Sequence, residues 1–173
     1  MFRSWLGLAA DAASEPPDAL RTVLDALDRL EPERARYLAR FAYLLGRVAH
    51  ADQQVSPEET RLMEQLVARE DDLPPDQAML VVALAQTSSR LFGGTENFIV
   101  ARDFSLAATY EQKLSLVRCL FALSAVEGRI SVAEEREIQQ IARELRVEPA
   151  DLVRLRLEFR SHLPGLSAGQ APE

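Results

Sequence analysis

The sequence predicts an all-α protein, a single compact bundle of seven to eight helices with two pseudo-symmetric helix-turn-helix repeats. Apolar residues recur at the three- and four-residue spacing of amphipathic helices, and no stretch alternates as a half-buried strand does. Three of the predicted helices begin with the Ser/Thr-x-x-Glu/Gln pattern of a capping box. One unit of sequence also recurs at an offset of 75 residues, which is the distance from Asp52 to Glu127.

Two amphipathic helices are predicted before the first turn. Residues 17–30 carry an apolar stripe at helical spacing, formed by Leu20, Val23, Leu24 and Leu27. Residues 33–50 carry a second stripe, formed by Leu38, Phe41, Leu45, Val48 and Ala49. We expect both stripes to face the core, and a turn at residues 51–55 to end the second helix.

The next helix is predicted to begin at Ser56, where Ser as N-cap and Glu59 at the third helical position form a capping box. Its apolar face contains Leu62, Met63, Leu66 and Val67. Residues 75–92 form a nearly apolar helix, and an all-round apolar helix is typical of the buried centre of a bundle. Residues 95–107 form a shorter helix, with three residues expected to point inward: Phe98, Ala101 and Phe104.

Each helix of the second repeat begins with a capping box, the first formed by Thr109 with Gln112 and the second by Ser131 with Glu134. The helix after Thr109 places three apolar residues at the positions of Phe41, Leu45 and Val48, namely Leu116, Leu120 and Leu123. The helix after Ser131 carries Ile138, Ile141, Ala142 and Leu145, and a last helix from Pro149 carries Leu152, Leu155 and Phe159. We expect the two units to superpose, with both turns at corresponding ends.

Composition sets the class of protein. The chain has 173 residues, of which 47% are hydrophobic and 27% charged, which fits one globular domain. We divide it into an N-terminal amphipathic segment (1–16), a helical domain (17–162) and a flexible tail (163–173). A net charge of −7 argues against nucleic acid as a partner. Because there is no convincing signal peptide and no membrane-spanning run, we expect a cytoplasmic location.

Four acidic residues in the two turns are the candidate metal ligands: Asp52 and Glu59 in the first turn, Glu127 and Glu134 in the second. Carboxylate and carbonyl oxygens suit Ca²⁺ and Mg²⁺, and Zn²⁺ also accepts carboxylates. A second interpretation stays open, in which Glu59 and Glu134 only complete capping boxes and the acids stabilise helix ends. If an ion binds, we expect it at the first turn, since two arginines stand close to the second.

Apart from the acidic turns, few residues indicate metal binding or catalysis. His50 would favour zinc as a ligand, and its alternative role is a partner of the helix C-terminus. The only cysteine, Cys119, excludes an internal disulfide and is expected to be a small core residue. The sequence has no nucleophile elbow, no phosphate-binding loop and no His-Glu-x-x-His motif. We therefore predict that the chain is not an enzyme.

The N-terminal segment places Phe2, Trp5, Leu6 and Ala9 on one face of a helix. This face fits docking on the chain's own bundle, contact with a partner helix, or membrane contact through residues 1–10. A single arginine gives little attraction to a membrane surface. The partner we expect is another protein, and the pattern leaves the oligomeric state open.

Residues 51–59 read Ala-Asp-Gln-Gln-Val-Ser-Pro-Glu-Glu, and residues 126–134 read Val-Glu-Gly-Arg-Ile-Ser-Val-Ala-Glu. Over roughly residues 35–160 the chain resembles the TerB-like family, which includes the tellurite-resistance protein TerB and the N-terminal domain of the co-chaperone DjlA. The family's hallmark is an Ala-Asp-Gly turn, a β-branched residue and a helix with an early Glu. Two positions depart from it, since Gln53 replaces Gly and Glu127 replaces Asp.

The resemblance implies an all-α bundle in a cytoplasmic stress-associated protein. Members of the family are thought to act through metal association or as protein-interaction modules, often near membrane complexes. By position, Asp52 and Glu59 match the first acidic site of the family, and Glu127 and Glu134 match the second. We therefore expect a non-enzymatic stress-response scaffold, and the alternative is a protein that binds a divalent cation through its paired turns.

Overall fold

The computed structural model describes residues 31–51, 55–70, 74–91 and 94–163, without the side chains of residues 87–95. In these ranges the secondary structure is entirely helical, as predicted. The predicted helix at 17–30, the N-terminal segment 1–16 and the tail beyond residue 163 lie outside the described residues.

Seven α-helices make up the described fold, followed by a short 3-10 helix at Arg160–His162. The α-helices are α1 (Pro32–Ala49), α2 (Pro57–Glu70), α3 (Pro75–Leu91), α4 (Gly94–Ala107), α5 (Tyr110–Ser124), α6 (Val132–Glu144) and α7 (Pro149–Glu158). Each starts and ends close to its predicted bounds, because prolines and capping residues fix helix starts locally.

The centre of the bundle is α1, and the prediction that residues 75–92 would be the centre is wrong. Every residue from Phe41 to Ala49 is buried, and α1 packs against α2, α3, α4, α5 and α6. The apolar helix α3 packs on α1 and α2 and leaves Met79 exposed to solvent. Three small residues on α1 (Ala39, Ala42 and Gly46) are buried along with its larger apolar residues.

The stripe by which α4 faces α1 differs from the prediction at one residue. Ala101 and Phe104 are fully buried, but Phe98 is 53% exposed. The buried stripe continues through Asn97, whose side-chain oxygen accepts a hydrogen bond of 2.6 Å from the hydroxyl of Tyr43. Because Asn97 is polar, the apolar pattern favoured its neighbour Phe98, which lies about 100° further round the helix.

The two repeats keep the same helix limits. Ala49 and Ser124, the last residues of α1 and α5, are 75 positions apart, and so are Pro57 and Val132, the first residues of α2 and α6. The apolar positions shared by α1 and α5 are all buried: Phe41 with Leu116, Leu45 with Leu120 and Val48 with Leu123. Superposition of the two units about a twofold axis stays a prediction.

The end of the described chain closes against the second repeat. The backbone N–H of Ile130 donates to the carbonyl oxygen of His162 at 2.8 Å. The ring of Phe159 stacks on that of Phe121 with centroids 5.6 Å apart, and Leu163 is fully buried. These contacts place the start of α6 and the end of α7 side by side.

Candidate functional site

The first acidic turn leads into α2 through a complete capping box. The backbone N–H of Ser56 donates to Oε2 of Glu59 at 2.8 Å, and the backbone N–H of Glu59 donates to Oγ of Ser56 at 3.1 Å. Glu59 is only 6% exposed. Asp52, the other predicted ligand of this turn, lies outside the described residues.

The second turn repeats this device at the start of α6. The backbone N–H of Ser131 donates to Oε2 of Glu134 at 2.7 Å, and that of Glu134 donates to Oγ of Ser131 at 3.1 Å. Glu134 is 5% exposed, whereas Glu127 is on the surface. The two buried glutamates thus hold matching places, and their carboxylates satisfy backbone donors that a helix start leaves unpaired.

The backbone of the second turn depends on a glycine. Gly128 has φ of +88°, and its N–H donates to the carbonyl oxygen of Ala125 at 2.9 Å. A Cβ at this position would meet open space, so only the backbone conformation disfavours a larger residue. The corresponding position in the first turn is Gln53, which lies outside the described residues.

His50 takes part in the end of α1. Its Nδ1 lies 2.8 Å from the carbonyl oxygen of Gly46, and because a carbonyl only accepts, Nδ1 carries the proton. This geometry fits the predicted role at the helix C-terminus. Among the described residues, no group of three or more His, Cys, Asp or Glu side chains is arranged to hold a metal ion.

A buried arginine is the main polar feature that the sequence did not reveal. The side chain of Arg47 is 4% exposed and forms ion pairs with Glu137 at 2.6 Å and Glu144 at 2.7 Å, both on α6. It also donates to the backbone oxygen of Asn97 on α4 at 3.2 Å. Its partners are 50 to 97 residues away in the chain, so no local motif could have indicated them.

This cluster joins three helices. Tyr43, one turn before Arg47 on α1, donates to the side chain of Asn97. Burial raises the pKa of the Tyr43 hydroxyl to about 12, so the hydroxyl remains a donor at neutral pH. The position that corresponds to Arg47 in the second repeat is Ala122, so the arginine occurs in the first unit only, while its carboxylate partners on α6 belong to the second.

Cys119 packs against the core as expected. Burial raises the pKa of its thiol to about 11, so the thiolate needed for nucleophilic chemistry is scarce near neutral pH. Two surface recesses are present elsewhere in the described part of the chain. One of about 330 Å³ lies between α5, α6 and α7 beside Leu152 and Val153, and one of about 210 Å³ lies between α4 and α6. Neither is lined by any of the four predicted metal ligands.

Comparison with known proteins gives one family. The family model described as Tellurite resistance protein TerB matches residues 38–157, which is more than half of the chain. Comparison with curated proteins and with solved structures returned no match. None of the helices in the described ranges has the length and apolar content that crossing a membrane requires.

Proposed function

Because the chain belongs to the TerB family, we propose that it is a non-enzymatic helical module that scaffolds a protein complex during a stress response of the tellurite-resistance type. The matched residues 38–157 contain the complete α2 to α6 and most of α1 and α7. The proposal places this module in the cytoplasm and gives it another protein as partner.

The observation that carries the proposal is the use of the repeated acid at both turns. Glu59 and Glu134 are nearly buried, and each accepts the backbone N–H of its own N-cap serine. A carboxylate that also bound a cation would share its oxygens with the helix start. Both carboxylates are therefore already engaged at helix starts, which argues against ion binding as their main role and leaves protein binding as the better supported function.

Exposed apolar side chains on α7 also support a protein partner. Val153 and Leu157 are one helical turn apart and more than half exposed. Val153 also borders the recess of about 330 Å³, whose other lining residues include Phe121 and Leu152. Large apolar side chains grouped at the surface are typical of protein contacts.

The test is rescue of a deletion strain under tellurite challenge. We expect wild-type protein to restore survival and the double variant Val153→Glu with Leu157→Glu to fail. Met79→Glu is the matched control, because Met79 is exposed to a similar degree on α3. Melting temperatures of the purified variants must equal that of the wild type. Equal rescue by all three proteins would contradict a contact surface on α7, and normal survival of the deletion strain would contradict the stress assignment.

The alternative function is binding of a divalent cation through the paired acidic turns, with the first turn as the expected site. Glu127 presents an exposed carboxylate in the second turn, but the exposed Arg129 and Arg136 beside it oppose a cation there. Titration calorimetry of dialysed protein with Ca²⁺, Mg²⁺ and Zn²⁺ tests this alternative. Saturable heat that Glu127→Gln or Asp52→Asn abolishes would support the cation binder, and rescue that fails with the same variant would make ion binding the function.

A further inference from the structure

Two surface recesses adjoin at the C-terminal end of α6. The recess of about 210 Å³ lies between α4 and α6, and the recess of about 330 Å³ lies between α5, α6 and α7. Arg143 lines both of them, so the two recesses form one surface on either side of its side chain. We call this surface the α6 groove. Its apolar lining includes three side chains that are more than half exposed: Phe98, Leu106 and Val153.

Most of the charges in the α6 groove are neutralised by partners within the fold. Among the described residues, one carboxylate lines the groove, that of Glu144, and it forms an ion pair of 2.7 Å with the buried Arg47. Two of the lining arginines also have a carboxylate partner: Arg102 pairs with Asp103 at 2.9 Å, and Arg156 pairs with Glu135 at 2.6 Å. These groups need no counter-charge from another molecule.

Arg143 and Arg146 differ from the other charged residues of the groove. Both are exposed, and neither forms an ion pair with a described residue. The guanidinium of Arg143 donates only to the neutral side-chain oxygen of Gln140, at 3.0 Å. Two positive charges without a counter-charge therefore lie beside apolar surface, in a chain whose net charge is −7.

The backbone at Arg146 is one that favours glycine. Its φ is +58°, and no other non-glycine residue in the described ranges has a positive φ. Arg146 follows α6 in a Schellman motif, in which its N–H donates to the carbonyl oxygen of Arg143 at 3.0 Å and the N–H of Val147 donates to that of Ala142 at 2.9 Å. Glycine occupies this place without steric cost, whereas arginine does not. The fold therefore gains nothing from arginine at this position.

We propose that the α6 groove binds an acidic amphipathic segment of a partner protein. Carboxylates of the segment pair with Arg143 and Arg146, because a guanidinium matches the geometry of a carboxylate, and its apolar side chains enter the recesses on either side. The inference rests on the proposed function, since Val153 belongs to both surfaces, and it adds the chemistry of the partner.

The shape and charge of the chain favour a peptide over a membrane as the occupant. The two recesses are concave, and a protruding side chain fills a recess better than a flat bilayer does. The net charge of −7 repels an anionic lipid surface as a whole. A short peptide meets mainly the local positive charge, because salt screens exposed charges that are more than about 10 Å away.

Fluorescence anisotropy with the full-length chain tests the proposal. The probe is a labelled synthetic peptide of about four helical turns, in which leucine recurs at helical spacing and glutamate fills the other positions. We expect saturable binding with a micromolar Kd that weakens as sodium chloride is added. The same peptide with lysine in place of glutamate should not bind, and vesicles of phosphatidylglycerol should not bind either.

Variants of the two arginines locate the site. Arg143→Gln with Arg146→Gly should weaken binding at least about tenfold, because charge-assisted hydrogen bonds are lost. Arg129→Gln with Arg136→Gln is the matched control, since it removes two exposed arginines that do not line the groove, and the affinity should stay within about twofold. Arg146→Gly alone should weaken binding and raise the melting temperature by about 1–3 °C, because glycine adopts a positive φ without strain.

Four outcomes would overturn the proposal. They are no binding of the glutamate peptide, binding of the lysine peptide, equal losses of affinity in the two double variants, and a melting temperature lowered by Arg146→Gly, which would give Arg146 a structural role. Vesicle binding that Arg143→Gln with Arg146→Gly removes would assign the groove to a membrane instead. The proposed function fails separately: rescue by Val153→Glu with Leu157→Glu removes the contact surface on α7, whereas a peptide that does not bind removes only the acidic chemistry of the partner.

Discussion

The two helix-turn-helix units differ in their surroundings although their local structure is the same. Both have a capping box at the start of the second helix, and both end their first helix at the same offset. The first unit contains Arg47, whose ion pairs reach Glu137 and Glu144 on α6, whereas the second unit has Ala122 at the corresponding place. The second turn has Gly128, whereas the first has Gln53. The capping boxes are therefore repeated, whereas the buried arginine that links the two units is contributed by the first unit alone.

The largest expected effect on stability is that of Arg47→Ala. We expect a loss of about 3 kcal/mol in unfolding free energy, because the change leaves the Glu144 carboxylate, whose side chain is 8% exposed, without its counter-charge. The Glu137 side chain is 27% exposed, so water compensates part of its lost ion pair. Arg118→Ala is the control, since the ion pair of Arg118 with Glu158 is exposed and should contribute less than about 1 kcal/mol. Both values come from urea denaturation.

A double change sharpens the interpretation. If the cost of Arg47→Ala is mainly that of an uncompensated charge, adding Glu144→Gln should recover part of the lost stability. Equal losses for Arg47→Ala and Arg118→Ala would mean that the cluster does not distinguish the first unit from the second.

The next test concerns what the units share. Ser56→Ala and Ser131→Ala should each cost about 1 kcal/mol, because each removes the oxygen that accepts the N–H of the third helical residue. The double variant should lose the sum if the units are energetically independent. Thr109→Ala, in the capping box of α5, provides a control outside the two turns. A melting temperature that Ser131→Ala leaves unchanged would contradict the shared role.

Local signals predicted most of the fold, and the exceptions have a physical cause. Capping boxes and helical stripes act within a few residues, so the sequence located Ser56, Thr109 and Ser131 as helix starts. The prediction that Phe98 points inward is wrong, because the polar residue Asn97 takes the inward position instead. A hydrogen bond from Tyr43 on α1 satisfies its side chain there. The sequence shows the polarity of a residue but not the partner that satisfies it.

The candidate site was predictable to a lesser degree. The sequence predicted the capping role of Glu59 and of Glu134, because each completes the same short motif. Arg47 was not found, because its carboxylate partners are 90 and 97 residues away. Whether Asp52 and Glu127 bind an ion stays a prediction.

A smaller effect is expected from the turn glycine. Gly128→Ala should cost about 1 kcal/mol, since φ of +88° strains a side chain and the gain from a stiffer unfolded chain offsets only part of that strain. Gln53→Gly makes the reverse change in the first turn. It should stabilise the protein by a similar amount if the two turns have the same backbone. A loss of stability on Gln53→Gly would show that the turns differ in conformation, and thermal unfolding measures both variants.

The smallest expected effect is that of a bound ion. The carboxylate of Glu59 already accepts the N–H of Ser56, so an ion at the first turn would rely on Asp52 and water, and its affinity should be only micromolar to millimolar. An ion concentration equal to the dissociation constant raises stability by about 0.4 kcal/mol.

Asp52→Asn should abolish that gain, whereas Glu127→Gln should preserve it, because exposed arginines at positions 129 and 136 oppose a cation at the second turn. Melting temperatures across a series of Ca²⁺, Mg²⁺ and Zn²⁺ concentrations provide the measurement. The opposite pattern would move the site to the second turn, which keeps the glycine. If wild type and both variants melt at the same temperature up to millimolar ion, the acids of both turns serve the helices alone.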